Sequence, residues 1–153
     1  HATVTIWVDA DGCPTSVREV VLRACKRTGV ATVFVANRDL PTPKAPNAST
    51  VRVGAGADVA DYYIAEHLEP TDLVITQDIP LAAEVVDKGA VALSPRGEEY
   101  TAESVRQKLS MRDFMEQMHG AGLAGGGPAA ESGRDKQAFA NALDRWLARN
   151  VTG

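Results

Sequence analysis

The sequence predicts an α/β fold, a three-layer α/β/α sandwich around a mostly parallel five-stranded sheet. Two observations carry this. Short, β-branched apolar runs alternate with helix-like patterns along most of the chain, which is the mark of repeated βαβ units with right-handed crossovers. Those runs are also nearly continuous in apolar character rather than alternating, as expected of strands covered on both faces.

Five strands are expected, at Thr3–Val8, Thr32–Val35, Thr50–Val53, Leu73–Ile75 and Ala90–Leu93. The first helix starts near Pro14, a residue suited to a first turn. It carries Val17, Val20, Val21 and Ala24 on one face and stops at Gly29, a residue that closes helices in the left-handed conformation. A second helix spans Asp58 to His67, and a third begins after Asp78 and ends at Gly89. Two more are expected around Ala102–Lys108 and Met111–His119. Residues 37–49, "NRDLPTPKAPNAS", hold three prolines and form a loop. Residues 120–133, "GAGLAGGGPAAESG", hold six glycines and read as a flexible connector or lid. After it, residues 134–150 form an amphipathic helix with Phe139, Leu143, Trp146 and Leu147 on one face, which packs back on the domain. The whole of 1–153 reads as one domain.

Composition narrows the function classes. A hydrophobic content of 44% and a charged content of 24% are those of an ordinary globular chain. No apolar run approaches the ~20 residues of a membrane helix, no secretory signal is evident, and Cys13 and Cys25 form neither a zinc pattern nor a disulfide framework. A reducing bacterial cytoplasm is the expected setting. The net charge of −4 argues against a general nucleic-acid coat, but not against a nuclease with an acidic centre.

Chemistry concentrates at the strand ends. In open parallel sheets, ligands bind outside the carboxyl ends of the strands. The first strand runs into "VDADG", giving Asp9 and Asp11. The second gives Asn37 and Arg38, and the third leads through "GAGAD" to Asp58 and Asp61. The fourth gives Thr76 and Asp78 in "VITQDIPLA", and the fifth gives Ser94 and Arg96 in "SPRG". Asp11, Asp58, Asp61 and Asp78 each have a local explanation at a turn or a helix start, whereas Asp9 directly ends a buried strand. Five carboxylates at one sheet edge repel one another unless something neutralises them. A hard divalent cation, Mg²⁺ or Mn²⁺, is the natural counter-charge, because it takes carboxylate oxygens and retains waters. Asp9, Asp58 and Asp78 are the candidate metal ligands, with Asp11 and Asp61 contributing further ligands or orienting the attacking water. Asn37, Arg38, Thr76, Ser94 and Arg96 are the candidate substrate contacts. Cys13 reads as a packing residue, His67 and His119 lack metal-ligand spacing, and no nucleotide-binding loop is present.

The segment "IWVDADGCP" resembles two families. Haloacid dehalogenase phosphohydrolases carry an apolar strand followed by DxDG, which would make Asp9 a nucleophile; their later Lys and paired acids do not appear after Thr76. The PIN-like nuclease superfamily is similar over more of the chain, with Asp9 closing the first strand, Asp58 (with Asp61) opening a helix after the third, and Thr76–Ala82 matching its TxDxxLA pattern. Closer still, "VDADGCP", "VAN", "GADVAD", "DLVITQDIPLAAEVVDKGA", "SPRGEEYT", "MRDFM" and "FANALDRWL" together resemble the YaiI/YqxD family of bacterial proteins. The resemblance implies a PIN-like fold with an acidic metal site. The expected activity is metal-dependent hydrolysis of phosphodiester bonds, with RNA as the partner. The alternatives are a phosphohydrolase acting through Asp9, or a non-catalytic module that binds RNA or a protein.

Overall fold

The computed structural model describes residues 4–55, 59–120 and 133–151. Five strands, β1 (Thr5–Asp9), β2 (Ala31–Ala36), β3 (Ala48–Arg52), β4 (Leu73–Ile75) and β5 (Val91–Leu93), form one sheet in the order β3-β2-β1-β4-β5. Every neighbouring pair is parallel. The helices are α1 (Thr15–Thr28), α2 (Val59–His67), α3 (Ile79–Asp87), α4 (Ala102–Gly120) and α5 (Gly133–Asn150), and a 3-10 turn covers Ala10–Gly12.

The pleat sorts the strand residues into two cores. Ile6, Val8, Phe34, Ala36, Leu73, Ile75 and Leu93 point to one face and pack against α1 and α5. Trp7, Val35, Val74 and Ala92 point to the other, toward α2, α3 and the start of α4. Both faces are therefore apolar at consecutive positions, which is why the strands read as unbroken apolar runs. Helix α1 contributes Val17, Val20, Val21 and Ala24 to the first core. It ends at Gly29, whose φ of 75° lets its N–H reach Cys25 O at 2.8 Å. Helix α5 lays Phe139, Ala142, Leu143, Trp146 and Leu147 on the same core. Phe139 is wholly inaccessible, so its truncation to alanine would cost about 3–5 kcal/mol.

At the amino-terminal edge of the sheet a buried carboxylate ties the strands together. Asp72, before β4, accepts hydrogen bonds from the Thr5 N–H, the Trp7 indole N–H and the Glu69 N–H, each at 2.9 Å. Burial of a charge on this scale is tolerable because its oxygens are supplied with donors.

The five-stranded parallel sheet is as expected, with every strand pair parallel. Two expectations shift. The two helices expected around Ala102–Lys108 and Met111–His119 are one, since neither Pro nor Gly interrupts the segment and Ser110 costs a helix interior only ~0.5 kcal/mol. The Pro-rich loop gives way to β3 at Ala48, two residues earlier than the expected Thr50, because the parallel pairing with β2 begins at Thr32 and Ala48. The Gly-rich connector lies, between Gly120 and Gly133, outside the described residues. Among the described residues no helix is long and apolar enough to cross a membrane.

Candidate functional site

In this sheet β1 is central, and the connections that follow β1 and β4 run in opposite directions, toward β2 and toward β5. The crevice at the carboxyl ends of β1 and β4 is thus a topological switch point, where ligands of open α/β sheets bind. An open pocket of about 440 Å³ occupies it, lined by Asp9, Asp11, Gly12, Asn37, Ala60, Asp61 and Asp78. The fold brings these four acids together from three places: the end of β1 with its 3-10 turn, the first turn of α2, and the start of α3.

Asp9 is the last residue of β1 and only 8% exposed. Its Oδ2 accepts the hydroxyl of the buried Thr76 at 2.9 Å. The same Thr76 oxygen accepts the Asp78 N–H at 2.9 Å. Asp78 caps α3: its Oδ1 accepts the Leu81 N–H at 2.8 Å, and Pro80 follows in the first turn. One hydroxyl therefore fixes both the Asp9 side chain and the backbone from which Asp78 projects. Each acid thus commits one oxygen to the fold, Asp9 its Oδ2 and Asp78 its Oδ1.

The carboxyl of Asp9 is held above its ordinary pKa. Burial is the main cause, and the neighbouring charges of Asp78 and Asp11 push the same way, against the lowering effect of the Thr76 hydrogen bond. Ionised Asp9 thus sits in a site that disfavours its charge.

Asp11 is differently placed. Its Oδ2 accepts the Asn37 N–H at 2.8 Å, and its Oδ1 lies 3.4 Å from Arg38 Nε. Both oxygens are engaged in holding the segment after β2 against the 3-10 turn. Asn37 lines the pocket and Arg38 stands beside it through Asp11.

Thr76, Ser94 and Arg96 are not among the residues that line the pocket. Thr76 is fully buried behind Asp9. The Ser94 hydroxyl turns inward, accepting the Arg96 and Glu98 N–H groups at 3.1 and 3.2 Å. Arg96 Nε lies 4.0 Å from Asp135 on α5. Gly97 explains this closeness: at φ 90° it lets the turn press on α5, where a Cβ would meet the Ala138 carbonyl carbon at 2.5 Å. Asp58 lies outside the described residues. Cys13 packs in the first core. His67 stacks on Tyr63 with ring centroids 4.1 Å apart.

Tyr100 is a supporting residue that sequence reasoning passed over. Its hydroxyl donates to Thr76 O at 3.3 Å. Burial, helped by Glu98 and Asp78, raises its pKa to about 12, so it remains a hydrogen-bond donor at physiological pH. No local pattern around "EEYT" signals this contact, which depends on β4 and β5 being neighbours.

The all-carboxylate donor set suits a hard divalent cation. Among the described residues no group of three His, Cys, Asp or Glu side chains is arranged to hold an ion. The site therefore does not suit a dehydrated ion enclosed by protein. Its acids have the chemistry for an ion such as Mg²⁺, which keeps several waters and takes only one or two carboxylate oxygens directly.

Comparison with known proteins gives one consistent result. Residues 7–149 match the family described as "Uncharacterized BCR, YaiI/YqxD family". A UPF0178 protein of Shewanella sp. (strain ANA-3) is 59% identical over 144 residues, covering 94% of this chain and 96% of that one. UPF0178 proteins of Psychromonas ingrahamii and Yersinia pestis (strain Pestoides F) are 56% and 54% identical, over 95% of this chain and 97% of each relative. No solved structure gives a significant match.

Proposed function

The chain belongs to the YaiI/YqxD family, and we propose that it is a divalent-metal-dependent hydrolase cleaving phosphodiester bonds in single-stranded RNA. One observation carries the reading: Asp9, Asp11, Asp61 and Asp78 line a single open pocket at the switch point of the sheet. A pocket with four carboxylates repels a phosphate unless a cation stands between them. The same four acids around an apolar or neutral ligand would be a desolvation cost without return.

Asp9 Oδ1 and Asp78 Oδ2 would hold the ion, Mg²⁺ or Mn²⁺, with Asp58, which precedes Val59 in sequence, as a further ligand. When bound, the ion lowers the pKa of a water and offsets the charge that builds on the phosphate. The chain's own residues do the rest. Thr76 keeps Asp9 in one orientation. Asp61, on the pocket wall, would accept a proton from the attacking water. Arg38, freed from Asp11 as the backbone phosphate arrives, pairs with that phosphate, a stronger partner for a guanidinium than a half-exposed carboxylate. Arg96 holds a neighbouring phosphate from the turn after β5.

The test is a cleavage assay on a broad panel of RNA and DNA strands, with Mn²⁺ or Mg²⁺ and with EDTA. Single-stranded RNA should be cut in the presence of the ion. Asp9→Asn and Asp78→Asn should each reduce cleavage at least 100-fold while the circular dichroism spectrum is retained; Asn also caps helices well, so α3 survives the second change. Cleavage that persists in EDTA or in both variants would identify a contaminant. Saturable RNA binding without turnover on any substrate would replace the enzyme by a binding module.

A further inference from the structure

A second pocket, of about 350 Å³, opens between α1, β2, β3 and the Pro-rich loop. Its floor is apolar, formed by Leu22, Phe34, Leu40 and Pro43. Around it stand Arg18, Lys26 and Lys44, with Glu19 as the opposing charge. In a chain of net charge −4, a pocket with three cations and one acid is a local reversal of sign. Arg18 adds a second observation. Its Nη2 donates to Thr15 Oγ1 at 2.9 Å, while its Nε is the buried side-chain nitrogen left without an acceptor among the described residues. A buried donor without a partner carries a cost that an arriving acceptor can relieve once the side chain adjusts.

The position of this pocket is as informative as its lining. Gly12 and Asn37 line the acidic pocket; Thr15 and Leu40 line the apolar one. Each pair is three residues apart, a span of at most about 11 Å of chain. Arg38 lies within the second of these bridges. The two pockets are therefore neighbours along both walls, and Arg38 of the second bridge pairs with Asp11 of the acidic one. A floor that accepts a flat apolar body, a cationic rim and an adjoining Arg together match a nucleotide unit whose flanking phosphates continue toward the acidic site.

We infer that this pocket is a nucleotide subsite, seating one base of the single-stranded RNA on Leu22, Phe34, Leu40 and Pro43 with its phosphate among Arg18, Lys26 and Lys44. The choice of ligand rests on the RNA reading of the acidic pocket. The subsite would set a minimum substrate length, since a strand too short to reach it forfeits these contacts.

The test uses the full chain carrying Asp9→Asn, in EDTA, so that binding is read without turnover. Uridine and adenosine monophosphate, inorganic phosphate and octanoate are titrated against ¹⁵N-labelled protein. Oligoribonucleotides of two and eight nucleotides are followed by fluorescence anisotropy. The nucleotides should shift the amides of Leu22, Leu40, Thr42 and Thr50, and inorganic phosphate should not. The octamer should bind at least tenfold more tightly than the dimer, and Lys26→Glu/Lys44→Glu should erase that gain. These are exposed positions, so the double variant should fold, and Leu22→Trp, which fills the floor, should have the same effect. Shifts caused by octanoate but not by nucleotides would overturn the inference, as would a length gain that survives both variants. If wild-type protein cleaves RNA while the pocket variants bind normally, the subsite fails and the hydrolase reading stands. If mononucleotides seat in the pocket and no RNA is cut, the hydrolase reading fails and the nucleotide site stands.

Discussion

The hydroxyl of Thr76 donates to Oδ2 of Asp9 at 2.9 Å, joining two residues 67 apart in sequence. The same oxygen accepts the Asp78 N–H, and it is wholly shielded from solvent. Thr76→Val keeps the shape and removes both bonds. The Asp78 N–H then lacks this acceptor and Asp9 loses the one interaction that lowers its pKa. The expected cost is about 1–3 kcal/mol, seen as an earlier midpoint in urea. The Asp9 pKa, followed by carboxyl ¹³C NMR, should rise further. Thr76→Ser, which keeps the hydroxyl, should restore the Asp9 titration even if its smaller volume leaves some stability lost. A Thr76→Val protein in which Asp9 titrates as in wild type would remove Thr76 from its positioning role.

A raised pKa has a definite consequence for stability against pH. Folded Asp9 binds its proton more tightly than unfolded Asp9 does, chiefly through burial. Stability therefore falls as pH rises from about 4, the usual carboxylate value, through the raised folded value. Above that window the ionised group is a standing cost. Asp9→Asn removes it and keeps an acceptor for Thr76. In EDTA at pH 7 the variant should melt higher than wild type, by about 2–4 °C if ~1 kcal/mol is recovered. The difference should shrink toward zero below pH 4, where both side chains are neutral. A difference that is flat with pH would show that packing, not charge, is responsible.

Added divalent cation should reverse that order. An ion that binds only the folded chain stabilises it by about 2.7 kcal/mol at a hundred times its Kd. Wild-type melting temperature should rise with Mn²⁺ or Mg²⁺, and Asp9→Asn and Asp78→Asn should each abolish the response. Equal responses in wild type and both variants would place the ion elsewhere on the molecule.

How much of this was legible in the sequence depends on the distance over which each feature is determined. Asp9 at the end of β1, Asp78 ahead of Ile79-Pro80, and the Gly29 stop are written in adjacent residues, and strands covered on both faces announce themselves as continuous apolar runs. Features that depend on neighbouring strands were not legible. The Asp72 anchor needs Thr5 and Trp7 beside β4. The Tyr100 support needs Thr76 beside β5. The contacts of the "SPRG" turn belong to the same class: the Ser94 hydroxyl closes its own turn, and Arg96 comes within 4.0 Å of Asp135 only because α5 docks there. Asp135 itself follows Arg134 and reads as half of a local pair; only the docking of α5 shows its other neighbour. The apolar pocket was hidden for a similar reason, since Leu22, Phe34 and Leu40 meet only when α1 and the loop fold over β2.

That docking depends on Gly97. With φ at 90° and a Cβ position 2.5 Å from the Ala138 backbone, any side chain would strain the turn and push α5 away. Gly97→Ala should destabilise the protein by about 2–4 kcal/mol, combining the left-handed penalty with overpacking against backbone. Chemical denaturation reads this directly. A change below ~0.5 kcal/mol would mean that α5 yields freely.

The two hydrolase chemistries part company at Asp9. A phosphohydrolase using Asp9 as nucleophile passes through an aspartyl-phosphate, which beryllium fluoride mimics on the carboxylate. In the hydrolysis proposed here the attacking group is water, and Asp9 serves as an ion ligand with Oδ2 already committed to Thr76. Beryllium fluoride with Mg²⁺ should therefore leave no adduct on Asp9, by mass spectrometry under native conditions and by ¹⁹F NMR. The control is inorganic phosphate release from p-nitrophenyl phosphate, which should stay at background. An adduct that forms on wild type and is lost in Asp9→Asn, accompanied by phosphate release, would make Asp9 a nucleophile and turn the pocket into that of a phosphomonoesterase. Absence of the adduct together with Mn²⁺-dependent RNA cleavage would fix Asp9 as a ligand, with Asp61 left as the acid placed to take the proton. The Asp61→Asn variant should then lower the turnover rate while the Mn²⁺-induced rise in melting temperature remains, separating the residue that handles the proton from the residues that hold the ion.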